Sequence, residues 1–326
     1  MESSHKRPHV LFIITNGENQ KEFYRMQGSL EATGLATQDT FEYDSFFKKN
    51  NYSGDVELIH QCLSRRPDLI VTRNNMPDPF ALKGYLWRGP SESTVSILRH
   101  RLGIPFASIW SDSDAENLPL IEHSLREGGK QFVVFLWDRA ETYATSPFFH
   151  DRIVPLWSPY DTRLFNDPNH ARDTDVSFVG STHGAYEYRV QMLEALRGAD
   201  IPVFAVSGGT LPLRDYIETS QRSKIVINFS KSFYGYTHLK ARVLEAMFCG
   251  AMLLEERCKQ SSDLFIEGKE FAAFSDTDEL ISKARYYLLH EAERQAIART
   301  GQKTAHEKYG PTQFWQVVFQ KTGITL

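Results

Sequence analysis

Lys240, Arg242 and Glu245 are the residues whose types and spacing suit them best to chemistry. They fall in the stretch from His238 to Glu256, which predicts an amphipathic helix, a glycine stop at Gly250 and then a buried strand. Lys240 and Arg242 lie near the expected helix start, where backbone N–H groups already favour an anion. Glu245 comes five residues after Lys240, about a turn and a half further along, and can accept hydrogen bonds from hydroxyls. A diphosphate at one end and a ribose at the other is what a nucleoside diphosphate presents. The alternative is a surface helix whose Lys, Arg and Glu are merely solvated.

Short apolar runs followed by helical patterns predict an α/β fold with parallel strands. In the first half the expected strands are His9 to Ile14, Asp68 to Thr72, Pro105 to Trp110, Gln131 to Leu136 and Asp151 to Leu156. Helices are expected from Gln20 to Ala32, Gly54 to Arg65 and Ser93 to Leu102. The aperiodic segment from Trp157 to Arg172, rich in Pro, Asp, Asn and Arg, reads as a linker. A second rhythm follows, with strands at Asp175 to Gly180, Pro202 to Val206, Lys224 to Asn228, Ala251 to Leu254 and Phe271 to Phe274. Helices are expected at Ala185 to Gly198 and Leu213 to Ser220, besides the one after Lys240. A long helical stretch opens with Asp276 or Thr277 as N-cap. The domains expected are 1–168, 169–308 and a terminal apolar helix, 309–326, lying back across the first domain. Two such domains in series leave a cleft between the carboxyl ends of two parallel sheets, where ligands of these folds bind.

The bulk composition narrows the classes. A chain of 326 residues suits two domains, and 41% hydrophobic with 24% charged residues is that of a globular protein. The net charge of −4 gives no whole-chain reason to expect nucleic acid as a partner. Three cysteines, Cys62, Cys249 and Cys258, lack metal-ligand spacing and cannot all pair. With no apolar leader, a reducing cytoplasm is the simplest home. No run of 18 apolar residues spans a membrane, and peripheral contact through a small basic or aromatic patch stays open.

Four pieces in order carry a resemblance. They are Val176 to Ser181 with Arg189 just beyond, Ile225 to Asn228, Lys240 to Gly250, and Glu267 to Phe271 leading to Phe274 through Leu280. Over about Asp175 to Gln316 the chain resembles glycosyltransferases of the GT-B architecture, most closely the spore-maturation CgeB-like family. The segments from Ile109 to Asp114 and Pro155 to Phe165 match it less specifically. The resemblance implies two Rossmann-like domains facing across a cleft, with a nucleotide-diphospho-sugar held mainly by the second and the acceptor entering over the first. It implies a hexosyl transfer of the retaining kind, with UDP or GDP as the carrier and no cofactor.

The residues fit that reading. Gly180, Ser181 and Thr182 end a strand, where a glycine lets backbone approach a phosphate and hydroxyls can bind it. Arg189, Lys240 and Arg242 are expected to supply charge to the leaving diphosphate, so no metal need be invoked. Asn228 ends its strand at the same sheet edge, within reach of base or phosphate, and Glu245 is expected on the ribose hydroxyls. Gly180 shaping a βα turn, Arg189 exposed on its helix and Asn228 capping or turning the chain are the alternatives. Many retaining relatives carry a second glutamate eight residues before the first, and Thr237 stands there instead. Backbone amides of the preceding loop, or Tyr234 and Tyr236, are then expected near the donor sugar with Thr237.

In the first half, Asn16, Gly17, Asp112 and Asp114 follow strands and project toward the cleft. Asp112 is a candidate general base for an inverting transfer. In a front-side retaining transfer the leaving phosphate takes the proton and needs no base. Asp112 with Asp114 as a metal site is a minority reading, and His123 fits an ordinary helix better than the cleft. The acceptor, whether glycan, lipid-linked sugar, protein or small molecule, leaves no mark on these motifs. Two rival functions share the donor site: a non-catalytic nucleotide-sugar-binding scaffold on a degenerate fold, and a nucleotide-sugar epimerase.

Overall fold

The computed structural model describes residues 7–14, 20–50, 52–73, 90–110, 118–130, 132–136, 149, 151–207, 211–232 and 235–326. The chain divides into two compact units, one formed by residues 1–161 with 311–326 and the other by 162–310. Each is built on a parallel sheet, and no helix among the described residues is long and apolar enough to cross a membrane.

In the first unit the strands are β1 (His9–Ile14), β2 (Thr37–Glu42), β3 (Leu69–Arg73), β4 (Phe106–Trp110), β5 (Phe132–Leu136) and β6 (Ile153–Pro155). They lie in the order β2-β1-β3-β4-β5-β6. Val10 through Ile14 are all buried, as a parallel strand covered on both faces requires. Their side chains alternate between two cores. Leu11 and Ile13 pack with Ile70, Phe106 and Val134, while Val10 and Phe12 pack with Val71, Ala107 and Phe135. Helices α1 (Gln20–Thr33), α2 (Tyr43–Asn50), α3 (Asp55–Arg65), α4 (Glu92–Ser96) and α5 (Leu118–Gly128) accompany the strands. The helix expected from Ser93 to Leu102 is α4 followed by a π-helical turn, Ile97–Arg101. Strand β2 and helix α2 have no counterpart in the sequence reading. The Thr-Gln-Asp-Thr-Phe-Glu of β2 is polar and buries only Phe41, so its identity comes from pairing with β1 at the sheet edge.

In the second unit the strands are β7 (Thr174–Val179), β8 (Val203–Val206), β9 (Ser223–Asn228), β10 (Met252–Glu256) and β11 (Ala272–Phe274), in the order β11-β10-β9-β7-β8. Helices α6 (Glu187–Gly198), α7 (Leu213–Arg222), α8 (Ala241–Phe248), α9 (Lys259–Leu264), α10 (Thr277–Leu289) and α11 (Glu291–Tyr309) complete it. Asp276 caps α10 by accepting from the Glu279 amide at 2.8 Å. The segment expected as a linker, 157–172, holds no helix or strand. Its last residue nevertheless anchors the unit: Arg172 donates to the carbonyls of Gln221, Ser223 and Cys249 and to Asp167.

Helix α12 (Pro311–Thr322) returns the chain to the first unit. Phe314, Trp315, Val318 and Phe319 join the core that holds Val10 and Phe12. The Trp315 indole N–H donates to the Ser29 hydroxyl at 2.9 Å.

Candidate functional site

In the second sheet β7 lies between β8 and β9, so the chain leaves the carboxyl ends of β7 and β9 in opposite directions. Such a switch point opens a crevice for a ligand. Gly180 follows β7 there and Asn228 ends β9. Between them lies the guanidinium of Arg242, from the first turn of α8. A Cβ on Gly180 would sit 2.5 Å from Arg242 Nη2 and 2.8 Å from Phe178 Cζ. The missing side chain at 180 is therefore the space the arginine uses. Arg242 lies over the Phe178 ring at 5.1 Å and donates from Nη1 to Asn228 Oδ1 at 2.6 Å.

Asn228 was expected to reach base or phosphate, and the structure corrects this. It is fully buried, and its amide group donates to Glu255 Oε2 at 2.8 Å while its oxygen receives Arg242. Both ends of the side chain are engaged inside the protein. Glu255 is itself fully buried and takes hydrogen bonds from the Ser230 and Ser261 hydroxyls. Burial lifts its carboxyl to about 7, against the opposing pull of those hydrogen bonds and of the Arg242 charge.

Arg189 also departs from expectation. It was assigned to the leaving diphosphate, but it is 4% exposed and donates to the carbonyls of Ser181, Phe229 and Lys231. Its guanidinium lies 3.8 Å from the centre of the Tyr186 ring. Arg189 thus braces the two loops that leave β7 and β9. On the braced rim Ser181 is exposed and Thr182 half-buried, followed by His183, whose ring meets the Ser207 hydroxyl at 3.1 Å.

After β9 the chain folds back on itself through a bridge between Lys231 and Thr237. Thr237 is exposed and Tyr236 half-buried, with the Tyr236 ring 5.5 Å from that of His238. Tyr234 lies outside the described residues. His238 is buried, and burial together with the Lys240 and Arg189 charges lowers its pKa to about 3. The neutral imidazole accepts from the Lys240 ammonium. Lys240 is the N-cap of α8 and makes no side-chain cap bond, so its reach is set by His238.

Glu245 is 2% exposed and faces α7, where the Tyr216 hydroxyl donates to Oε2. It lies three residues beyond Arg242, on the same face of α8. Gly250 closes α8 with φ of +70°, and a Cβ there would also meet Asp167 Oδ2 at 2.5 Å. Of the residues named from sequence, the structure brings Gly180 and Arg242 together and sets Glu245 on the same helix as Arg242. Tyr216, Glu255 and His238, which contact Glu245, Asn228 and Lys240 respectively, were not named as site residues. Glu255 carried a signal: an acid directly after the apolar Met-Leu-Leu run belongs to the strand rather than to its exit.

Asp112, Asp114, Asn16 and Gly17 lie outside the described residues. His123 belongs to α5 and pairs with Glu92 at 2.7 Å, an ordinary helix-surface contact.

Residues 170–319 match the family described as glycosyl transferase-like, a span that includes Gly180, Arg189, Asn228, Lys240, Arg242, Glu245 and Glu255. No curated protein sequence matches the chain. Several solved structures share its fold at low identity. HepE of Anabaena, in complex with UDP and glucose, is 12% identical with a TM-score of 0.64, the match covering 97% of this chain and 99% of that one. An alpha-glucosyltransferase in complex with UDP and a DNA 13-mer is 11% identical, TM-score 0.63, over 97% and 99% of the two chains. The sucrose-phosphate synthase of Thermosynechococcus elongatus is 12% identical, TM-score 0.59, over 96% and 99%. The expected α/β class with two parallel sheets therefore holds, and the fold matches the GT-B glycosyltransferases.

Proposed function

We propose that this chain, whose residues 170–319 belong to the glycosyl transferase-like family, transfers a sugar from a nucleotide-diphospho-sugar carried on UDP or GDP. The observation that carries the reading is the seat of Arg242. It sits at the switch point of the second sheet, against a glycine and on the same helix face as the buried Glu245. Arg242 and Lys240 would neutralise the charge that develops on the leaving diphosphate, the role of preorganised donors in phosphate chemistry. Glu245 would accept from the ribose hydroxyls. A carboxylate has about four lone-pair sites, so the Tyr216 hydroxyl can fix its rotamer and leave acceptor capacity. Ser181 and Thr182 would line the phosphates. Tyr236 and Thr237 would lie toward the sugar. Because two bases supply the charge, the transfer would proceed without metal and survive EDTA. The UDP and UDP-glucose complexes of HepE support the choice of UDP as first probe.

Calorimetric titration of UDP, GDP and ADP tests the reading. Binding of UDP or GDP that weakens roughly 10-fold or more in Arg242→Ala and in Glu245→Ala is expected from the loss of charge-assisted hydrogen bonds. Failure of all three nucleotides to bind would sink it. Thr237, exposed where an acid is expected, favours a second reading as a non-catalytic binding protein. Slow release of free nucleotide from the donor separates the two, since a scaffold binds without turnover.

A further inference from the structure

Arg242, Asn228 and Glu255 form one hydrogen-bonded chain that runs from the anion seat into the core. Its polarity is fixed by chemistry. A guanidinium only donates, so the Asn228 oxygen must face Arg242. The amide nitrogen must then donate, and Glu255 Oε2 must accept it. The other oxygen, Oε1, takes the Ser230 and Ser261 hydroxyls. Asn228, Ser230, Ser261 and Glu255 are all fully buried, so no water from outside weakens the chain.

The groups that face Glu255 leave Arg242 as its counter-ion. Strand β9 and the residues after it bring the neutral Asn228 and Ser230, and α9 brings Ser261. Strand β11 pairs Ala273 against it. The Cys258 thiol stands nearby with its pKa raised by burial and then by the Glu255 charge, which keeps it neutral. Glu256, the next residue, is taken up by the Tyr188 hydroxyl and the Lys231 amide.

We propose that Glu255 is a buried counter-ion to Arg242, a positioning residue whose protonation accompanies binding of the donor diphosphate. With Glu255 ionised, the Arg242–Glu255 pair is neutral overall. With Glu255 protonated, the positive charge of Arg242 is uncompensated and faces the anion alone. A bound diphosphate therefore favours the protonated form by linkage, and its binding draws a proton from solvent onto the carboxyl in those molecules that do not already carry one. Oε1 can carry that proton, because either serine hydroxyl can turn from donor to acceptor, while Oε2 continues to receive Asn228. The balance is donor anion plus at most one proton in, the proton forming an O–H bond on Glu255, and no bond between heavy atoms is made or broken. Burial poises Glu255 for this near neutral pH.

The inference rests on the donor-site reading above, and its test separates the two. UDP-glucose and GDP-mannose are titrated calorimetrically into the full chain near pH 7 in two buffers of different ionisation enthalpy. Neither sugar nucleotide has a phosphate that titrates there. The expected result is proton uptake, with Kd rising roughly 3- to 10-fold from pH 6 to pH 8, as one coupled site gives. In Glu255→Gln, whose amide can still receive Asn228 and donate to the serines, both the uptake and the pH slope vanish. Ser261→Ala provides a second variant. With one hydrogen bond to the carboxylate gone, the midpoint of the pH dependence moves upward. Binding that is independent of buffer, or a pH slope retained in Glu255→Gln, overturns the inference while the donor site stands. Absence of binding by either sugar nucleotide overturns both.

Discussion

Gly180 and Arg242 occupy one volume between them, and the division of that volume makes the site. A methyl group at 180 would lie 2.5 Å from Arg242 Nη2, the far end of a flexible side chain, and 2.8 Å from Cζ of the buried Phe178 ring, so both side chains would have to yield. Gly180→Ala is therefore expected to lower the melting temperature through Phe178 and to weaken nucleotide binding by roughly 10-fold through Arg242, the order of one charge-assisted hydrogen bond. Circular dichroism melting and calorimetric titration check both halves, and a melting loss without an affinity loss would show that the glycine only shapes a turn. At this scale the residue types were legible and their orientations were not. The pattern marked Lys240, Arg242 and Glu245 because bases at a helix start and an acid among Leu244, Ala246 and Met247 each need a reason. It could not tell that Arg189 turns inward to three carbonyls, because that depends on where the loops after β7 and β9 end. Nor could it tell that Asn228 faces Glu255, 27 positions away in sequence.

Helix α8 is the element that places the site, and its two ends are fixed by different means. Its start is set by Lys240 outside the helix and the His238 ring behind it. Its stop is Gly250, where φ of +70° and the approach of Asp167 and Arg172 both exclude a side chain. Left-handed backbone alone costs an L-residue roughly 1–2 kcal/mol. Gly250→Ala is expected to lose more than that, because Asp167 and Arg172 must also part. Urea unfolding measures the loss, and a change below about 1 kcal/mol would contradict the packing described here. The central strands and α8 could be read from sequence because their apolar runs are buried on both faces or along one stripe. Strand β2 could not, since its polar residues follow the pairing with β1 rather than their own preference. The helical stretch after Asp276 read as continuous, yet it breaks at His290, whose ring stacks on Tyr286 at 3.9 Å. Ending the strand after Gly250 at Leu254 left Glu255 outside β10, and the buried relay with it.

For the whole molecule, the two units carry different burdens, and two measurements separate them. In the second unit, Glu255 has its pKa raised from the ordinary 4.5 to about 7. A carboxyl with a raised folded pKa stabilises most below its unfolded value and loses that contribution as pH rises through the folded one. Wild type should lose stability relative to Glu255→Gln between pH of about 4.5 and about 7, by up to about 3 kcal/mol. Urea unfolding at pH 5 and pH 8 reads the difference, and parallel changes in the two proteins would refute it. In the first unit the burden lies with α12, which the chain reaches only after completing the second unit. Trp315 is fully buried there, edge-on to Phe12 with ring centroids 5.9 Å apart and bonded to Ser29. Removing a buried aromatic side chain of this size costs roughly 3–5 kcal/mol, and here it also leaves the Ser29 hydroxyl without its indole donor. Trp315→Ala should therefore loosen β1, β4, β5 and α1, although more than 150 residues of sequence separate each of them from the substitution. Hydrogen exchange followed by mass spectrometry resolves where protection is lost. Loss confined to the first unit, with β7 through β11 unchanged, is the expected result, because the side chain packs in a core drawn wholly from that unit. Loss of protection spread equally over both sheets would mean that the terminal helix supports the second unit as well.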